Sequence, residues 1–150
     1  MSDYIDKEVK KIMEADGYPY PLNAAMATSW IMGNFKGINL KVLDVSEKSS
    51  LSDYFVITSA VNIIQATSIT SEIKRCFKNY DIKLISEEAS EASGWILLDL
   101  GEVIVHVFLE GSRELYDIEG LWHEAKSIDI PQEYYFSSVE IPVAEDLDYF

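Results

Sequence analysis

The side chains that could do chemistry here are few: two histidines, His106 and His123, one cysteine, Cys76, and three aspartates beside apolar runs, Asp44, Asp53 and Asp99. Neither histidine has another His or Cys at ligand spacing, whereas a zinc centre needs three or four converging ligands. Cys76 falls on an apolar helical stripe and reads as a small buried hydrophobe rather than a nucleophile. His106 stands mid-strand between Val105 and Val107 and reads as a core or sheet-face histidine with one satisfied nitrogen. No G-x-S-x-G elbow occurs, and none of the seven glycines belongs to a G-x-G-x-x-G or Walker pattern. Metal-assisted chemistry through Asp44, Asp53 or Asp99 would need two of these carboxylates to converge on one ion. Binding is the other option. Trp95 follows an acidic stretch directly, so it is either a rim-exposed aromatic anchor or a cap on the core. Asp99, just before Leu100-Gly101, reads as a turn-stabilising carboxylate.

The elements that must hold these residues follow from periodicity. Ile5, Val9 and Ile12 recur at helical spacing over residues 4–15, and Asp16-Gly17 ends that helix. A second helix begins near Pro21 and runs to about Gly33 or Gly37. A strand is predicted from Ile38 to Val45, then a Ser/Glu/Lys loop over 46–52. The unbroken apolar run Tyr54-Phe55-Val56-Ile57 predicts a central strand covered on both faces. Asn62 with Gln65 three residues on starts a helix whose stripe is Ala66, Ile69, Ile73, Cys76, Phe77 and Tyr80. Ile82–Ile85 is a short strand candidate and 86–94 an acidic loop. Trp95–Leu100 and Val103–Leu109 form an antiparallel hairpin about Gly101-Glu102. Ser112 or Asp117 opens helical structure with Leu115, Ile118, Leu121, Trp122 and Ala125 inward. From Pro131 the chain has five acidic residues and no basic one, which predicts a weakly ordered acidic tail that Tyr134, Tyr135, Phe136 and Phe150 could dock.

These elements divide the 150 residues into an extension helix over 1–20, a central domain over 21–130 and the acidic tail over 131–150. An apolar share of 48% is enough for one globular core. Twelve basic against 26 acidic side chains leave a net charge of −14, a field that repels phosphate backbones and anionic membranes. Direct nucleic-acid binding is therefore not expected, and a basic protein is the expected partner. The acidic N-terminus carries no secretory signal and the single cysteine no disulfide framework, which points to the cytoplasm.

Several motifs become recognisable together: Leu43-Asp44-Val45-Ser46, Asp53-Tyr54-Phe55-Val56-Ile57, Gln65, the hairpin Trp95-x-x-x-Asp99-x-Gly101, His106-Val107-Phe108, Arg113, Tyr116-Asp117 and Leu121-Trp122. In this order and spacing, over residues 22–127, the sequence resembles the ribosomal silencing factor family, also called Iojap-related. It departs from the family at Thr58–Asn62, where Ala60 stands near the place of a glycine. The resemblance implies an α/β fold, a mixed sheet of about five strands flanked by helices, similar to nucleotidyltransferases but without their catalytic motif. The only D-x-D, Asp146-Leu147-Asp148, lies in the tail. It further implies no enzymatic activity and no cofactor. The implied role is docking on a large-subunit ribosomal protein of the L-fourteen type, blocking small-subunit joining and repressing translation. The residues matched for that contact are Asp53, Tyr54, Trp95, Leu97, Asp99, Glu110, Arg113 and Tyr116. Two alternatives stay open beside it: a divergent metal-dependent nucleotidyltransferase-like enzyme using Asp44, Asp53 or Asp99, and a homodimer or dimeric protein-binding adaptor that uses the same hairpin face.

Overall fold

The structure, a computed structural model, describes residues 2–136. Helix α1 (Ser2–Met13) places Ile5, Val9 and Ile12 on one buried face, with Lys10 and Lys11 at its C-terminal end, where cations complement the helix dipole. Helix α2 (Leu22–Asn34) is buried at every residue from Ala24 to Gly33, because it is enclosed by other elements rather than lying on the surface. Helix α3 (Ile63–Phe77) starts as the Asn-x-x-Gln spacing predicts. Asn62 Oδ1 accepts the Gln65 amide hydrogen at 2.8 Å, and Gln65 Oε1 accepts that of Val61 at 2.8 Å. The Gln65 Nε2 group also donates to the Phe35 and Lys36 carbonyls at 3.0 Å, tying the end of α2 to the start of α3.

One six-stranded mixed sheet carries these helices. Its strands are β1 (Ile38–Asp44), β2 (Tyr54–Ala60), β3 (Ser86–Ser90), β4 (Trp95–Asp99), β5 (Val103–Leu109) and β6 (Lys126–Ser127), in the spatial order β3-β4-β5-β2-β1-β6. Only β2 and β5 are parallel neighbours, joined by a crossover that contains α3. One sheet face, with Leu40, Val42, Val56, Leu98, Val105 and Val107, packs against α1, α2 and α3 in the main core. The opposite face holds a smaller cluster of Leu43, Val45, Phe55, Ile57 and Phe108 under two short helices, α4 (Ser112–Tyr116) and α5 (Ile118–Leu121). Among the described residues no helix is long and apolar enough to cross a membrane.

The α/β class and the hairpin agree with the sequence reading; three local expectations do not. Residues 82–85 are not a strand, and the predicted acidic loop instead contains β3, paired antiparallel to β4 from Ser86 opposite Asp99 to Ser90 opposite Trp95. An edge strand with both faces wet needs no apolar alternation, so its sequence looks like a loop. With β6 added, the sheet has six strands, in keeping with the expected mixed sheet of about five. The helix after Ser112 is broken at Asp117, which takes a left-handed conformation at φ 48° and caps Gly120 through its carboxylate. Consequently Leu115 and Leu121 do not face inward; they are 77% and 74% exposed. Past the last strand, Tyr134 is buried against α2, where Gly33 leaves room for the Tyr134 carbonyl: a Cβ at residue 33 would sit 1.9 Å from that oxygen. The remaining tail, Phe150 and the Asp146–Asp148 pair included, lies outside the described residues.

Candidate partner-binding surface

Alternation along β4 separates Ile96 and Leu98, which enter the main core, from Trp95, Leu97 and Asp99, which are half-buried on the opposite face. The Trp95 indole lies among aromatic rings, with centroids 5.1 Å from Phe108 and 4.7 Å from Tyr116. Its Nε1–H donates to His106 Nδ1 at 3.2 Å, which fixes the ring's rotation. Trp95 is thus both a cap on the smaller cluster and part of an open surface. A groove of about 550 Å³ runs beside it, lined by Glu88, Ser90, Ser93, Trp95, Leu97 and Tyr116. Glu87 is held by Lys74 at 2.9 Å, whereas Glu88 and Glu91 form no ion pair among the described residues. An apolar floor beside unpaired carboxylates suits a partner that brings an aliphatic or aromatic side chain together with a cation.

The residues matched by resemblance are not all on this surface. Trp95, Leu97 and Tyr116 share the groove, and Asp99 continues the same face at the far end of β4. Asp99 Oδ1 accepts the Gly101 amide hydrogen at 2.9 Å, the turn role its position suggested. Glu110 is exposed just past β5, and its amide donates to the Ala60 carbonyl at 3.2 Å. Asp53 and Tyr54 stand elsewhere. Tyr54 packs against the helix-covered core, and it is opposite Val103, the end of β5 farthest from Trp95's partner Phe108. Burial, then the charges of Asp44 and Asp53, push the Tyr54 hydroxyl pKa upward.

Arg113 is the clearest departure, since its side chain is only 5% exposed and faces inward. Its Nε and Nη2 grip both Glu119 oxygens at 2.9 and 3.1 Å, while Nη1 donates to the Asn39 carbonyl at 2.8 Å and to Ser59 Oγ at 3.0 Å. This fork holds the Glu119 carboxyl below its ordinary range and straps α4 and α5 to β1 and β2. Tyr116 keeps its place over Trp95 because α4 is strapped in this way. Arg113 therefore positions the surface and does not line it.

Sequence reasoning missed Glu88 and Ser90 as a wall of the groove, for the reason it missed β3. The spacing Trp95, Leu97, Asp99 was the available signal, because half-buried residues alternating with core residues require something polar beside them. His106 is 3% exposed, with Nδ1 bonded to Trp95 and Nε2 without a partner among the described residues. Burial drives its pKa down to about 4, against about 6.5 in an unfolded chain, so the native ring is neutral at pH 7. Between these values the unfolded chain binds the proton that the native state refuses. The resulting stability is complete above pH 6.5 and is lost as pH falls towards 4. From pH 7 to pH 5 the loss is about 2 kcal/mol. Urea unfolding at the two pH values should show this difference in the wild type and a shallower dependence in His106→Asn; parallel profiles would contradict it.

The three aspartates considered for metal chemistry stand on β1, just before β2 and on β4, and among the described residues no group of three or more His, Cys, Asp or Glu could hold an ion. Asp44 Oδ1 is occupied by the Ser46 amide and hydroxyl at 3.0 and 2.6 Å.

Comparison with known proteins bears on what this surface serves. The family model described as "Ribosomal silencing factor during starvation" matches residues 5–145, a span that begins within α1. A Bacillus subtilis protein named ribosomal silencing factor RsfS is 34% identical over 92 residues, covering 61% of this chain and 78% of that one. The chloroplastic Iojap protein of Zea mays is 28% identical over 119 residues, 79% of this chain and 52% of that one. A crystal structure from Bacillus halodurans aligns with TM-score 0.60 at 28% identity, covering 73% of this chain and 96% of the other.

Proposed function

The chain belongs to the ribosomal silencing factor family, also called Iojap-related, and we propose that it acts by binding a basic large-subunit protein of the L-fourteen type, so that the small subunit cannot join and translation falls. No bond is made or broken in this reading. The observation that carries it is the half-exposed Trp95–Leu97–Tyr116 groove walled by the carboxylate of Glu88, which forms no ion pair among the described residues. A specific interface covers about 800 Å² per partner, and a few aromatic anchors supply most of its energy. Trp95 and Tyr116 are suited to that part, with Leu97 between them and Asp99 and Glu110 at the rim. Tyr54, on the other side of the sheet, and Asp53, just before β2 at the end of the sheet away from Trp95, are left out, and Arg113 acts through Tyr116.

Charge determines which ribosomal surface is approached. A net charge of −14 is repelled by ribosomal RNA and drawn to an exposed basic protein patch, which raises the encounter rate and selects that patch. Burial pushes the Cys76 thiol pKa up to about 12, so this side chain is not the nucleophile that an enzymatic reading would need. Purified protein mixed with separated subunits should pellet with large subunits and not with small ones, and should be released as salt is raised. Pelleting with both subunits alike, or with neither, would refute the assignment.

A further inference from the structure

The sheet has two edges, and they are not alike. At one, β6 is two residues long and Ile128 continues the cover by donating to the Val42 carbonyl at 2.8 Å. At the other, all five residues of β3 are exposed and no strand lies outside it among the described residues. Hydrogen-bond parity shows which backbone groups β3 leaves open. Leu100 donates to the Val103 carbonyl at 3.0 Å and Leu109 to the Gly94 carbonyl at 2.8 Å, so Ile96 and Leu98 direct their backbone groups to β5. Trp95, Leu97 and Asp99 then direct theirs to β3, where they face Ser90, Glu88 and Ser86. The N–H and C=O of Glu87 and Ala89 are left pointing outward.

We propose that the β3 edge accepts an extended, basic segment of the ribosomal partner as a seventh strand, paired through Glu87 and Ala89, with a Lys or Arg of that segment beside Glu88 at the mouth of the Trp95 groove. This rests on the ribosome-binding reading above and specifies how that surface is engaged. Main-chain pairing supplies affinity without regard to sequence, and side chains on alternate residues supply selectivity. Glu88 projects on the same face as Trp95 and Leu97, so a cation opposite it would neutralise a charge that no other described residue pairs. The carboxylates also exclude competitors. A second copy pairing antiparallel along the same edge through Glu87 and Ala89 would set Glu88 against its own counterpart, a like-charge contact that a basic strand avoids.

The test is co-sedimentation of the full chain with washed large subunits, comparing wild type, Ala89→Pro, Glu88→Lys and Trp95→Ala, each checked by circular dichroism. Proline at 89 removes an outward N–H and blocks close approach while sparing the bonds to β4, and edge strands tolerate it. Ala89→Pro and Glu88→Lys should each bind at least about tenfold more weakly with unchanged dichroism. If both bind as wild type while Trp95→Ala does not, strand addition is wrong and the groove assignment stands. If the wild type does not pellet, both fall. If the protein alone sediments as a dimer that Ala89→Pro turns into a monomer, the edge belongs to a second copy and the proposal fails. Should Ala89→Pro misfold, Glu88→Lys decides the matter.

Discussion

Trp95→Ala should weaken association with the large subunit by about a hundredfold or more, the range expected for an aromatic anchor at the centre of an interface. The fold should survive. Trp95 is half-exposed and caps the smaller cluster, while the main core between the sheet and α1–α3 does not include it. The substitution frees His106 Nδ1 and uncovers Phe108, so stability should drop by about 1–3 kcal/mol, less than for a fully buried tryptophan. Two companions separate anchoring from structural damage. Trp95→Phe keeps a ring over Phe108 without the N–H donor and should bind with intermediate strength. Leu97→Arg leaves the aromatic cluster alone but sets a cation in the groove proposed to take a basic partner, and should lose binding with wild-type stability. Co-sedimentation with large subunits and urea unfolding, run on all three, check this. Wild-type binding by both Trp95→Ala and Leu97→Arg would remove the groove from the interface.

The largest effect on stability should come from Arg113. Replacing it with alanine strands a half-buried Glu119 carboxylate and leaves the Asn39 carbonyl and Ser59 hydroxyl without their cation, a loss of about 3–5 kcal/mol. Arg113→Lys keeps the charge but cannot reach both Glu119 oxygens and the β1 carbonyl from one planar fork, so it should recover only part of the loss. Binding should fall as well, because α4 and Tyr116 lose their strap. The urea midpoint measures the first effect. A shift below about 0.5 kcal/mol in Arg113→Ala would mean the fork is not structural, and would return Arg113 to the candidates for partner contact.

Those two residues mark what could and could not be read from the sequence. The hairpin was legible because Trp95–Leu100 and Val103–Leu109 are two short apolar runs of strand length and Gly101 provides the turn, at φ 94° in the structure. The start of α3 was legible because Asn62 and Gln65 act locally, three residues apart. His106 could be read as half-satisfied from its place among valines, but not that its bond goes to the indole that matters. Arg113 was grouped with the contact residues, but its inward-facing role could not be read. An arginine next to a glycine and a serine looks solvated, and what buries it is chain 74 and 54 residues away. β3 was hidden for the opposite reason: Ser-Glu-Glu-Ala-Ser has no apolar period, and its strand character comes from the open backbone of β4. Family resemblance grouped eight residues by order along the chain. Folding sorts them by face, placing Trp95, Leu97, Asp99 and Tyr116 on one side and sending Tyr54 to the other.

The central claim is that the molecule silences by occupying a place, without chemistry. Its most direct test is subunit joining. Separated ribosomal subunits are mixed with increasing purified protein, and the fraction of whole ribosomes is read by gradient sedimentation. The account predicts that wild-type protein holds subunits apart in a saturable way, without nucleotide or added metal, and that Trp95→Ala does not. Full joining in the presence of saturating wild-type protein would contradict it.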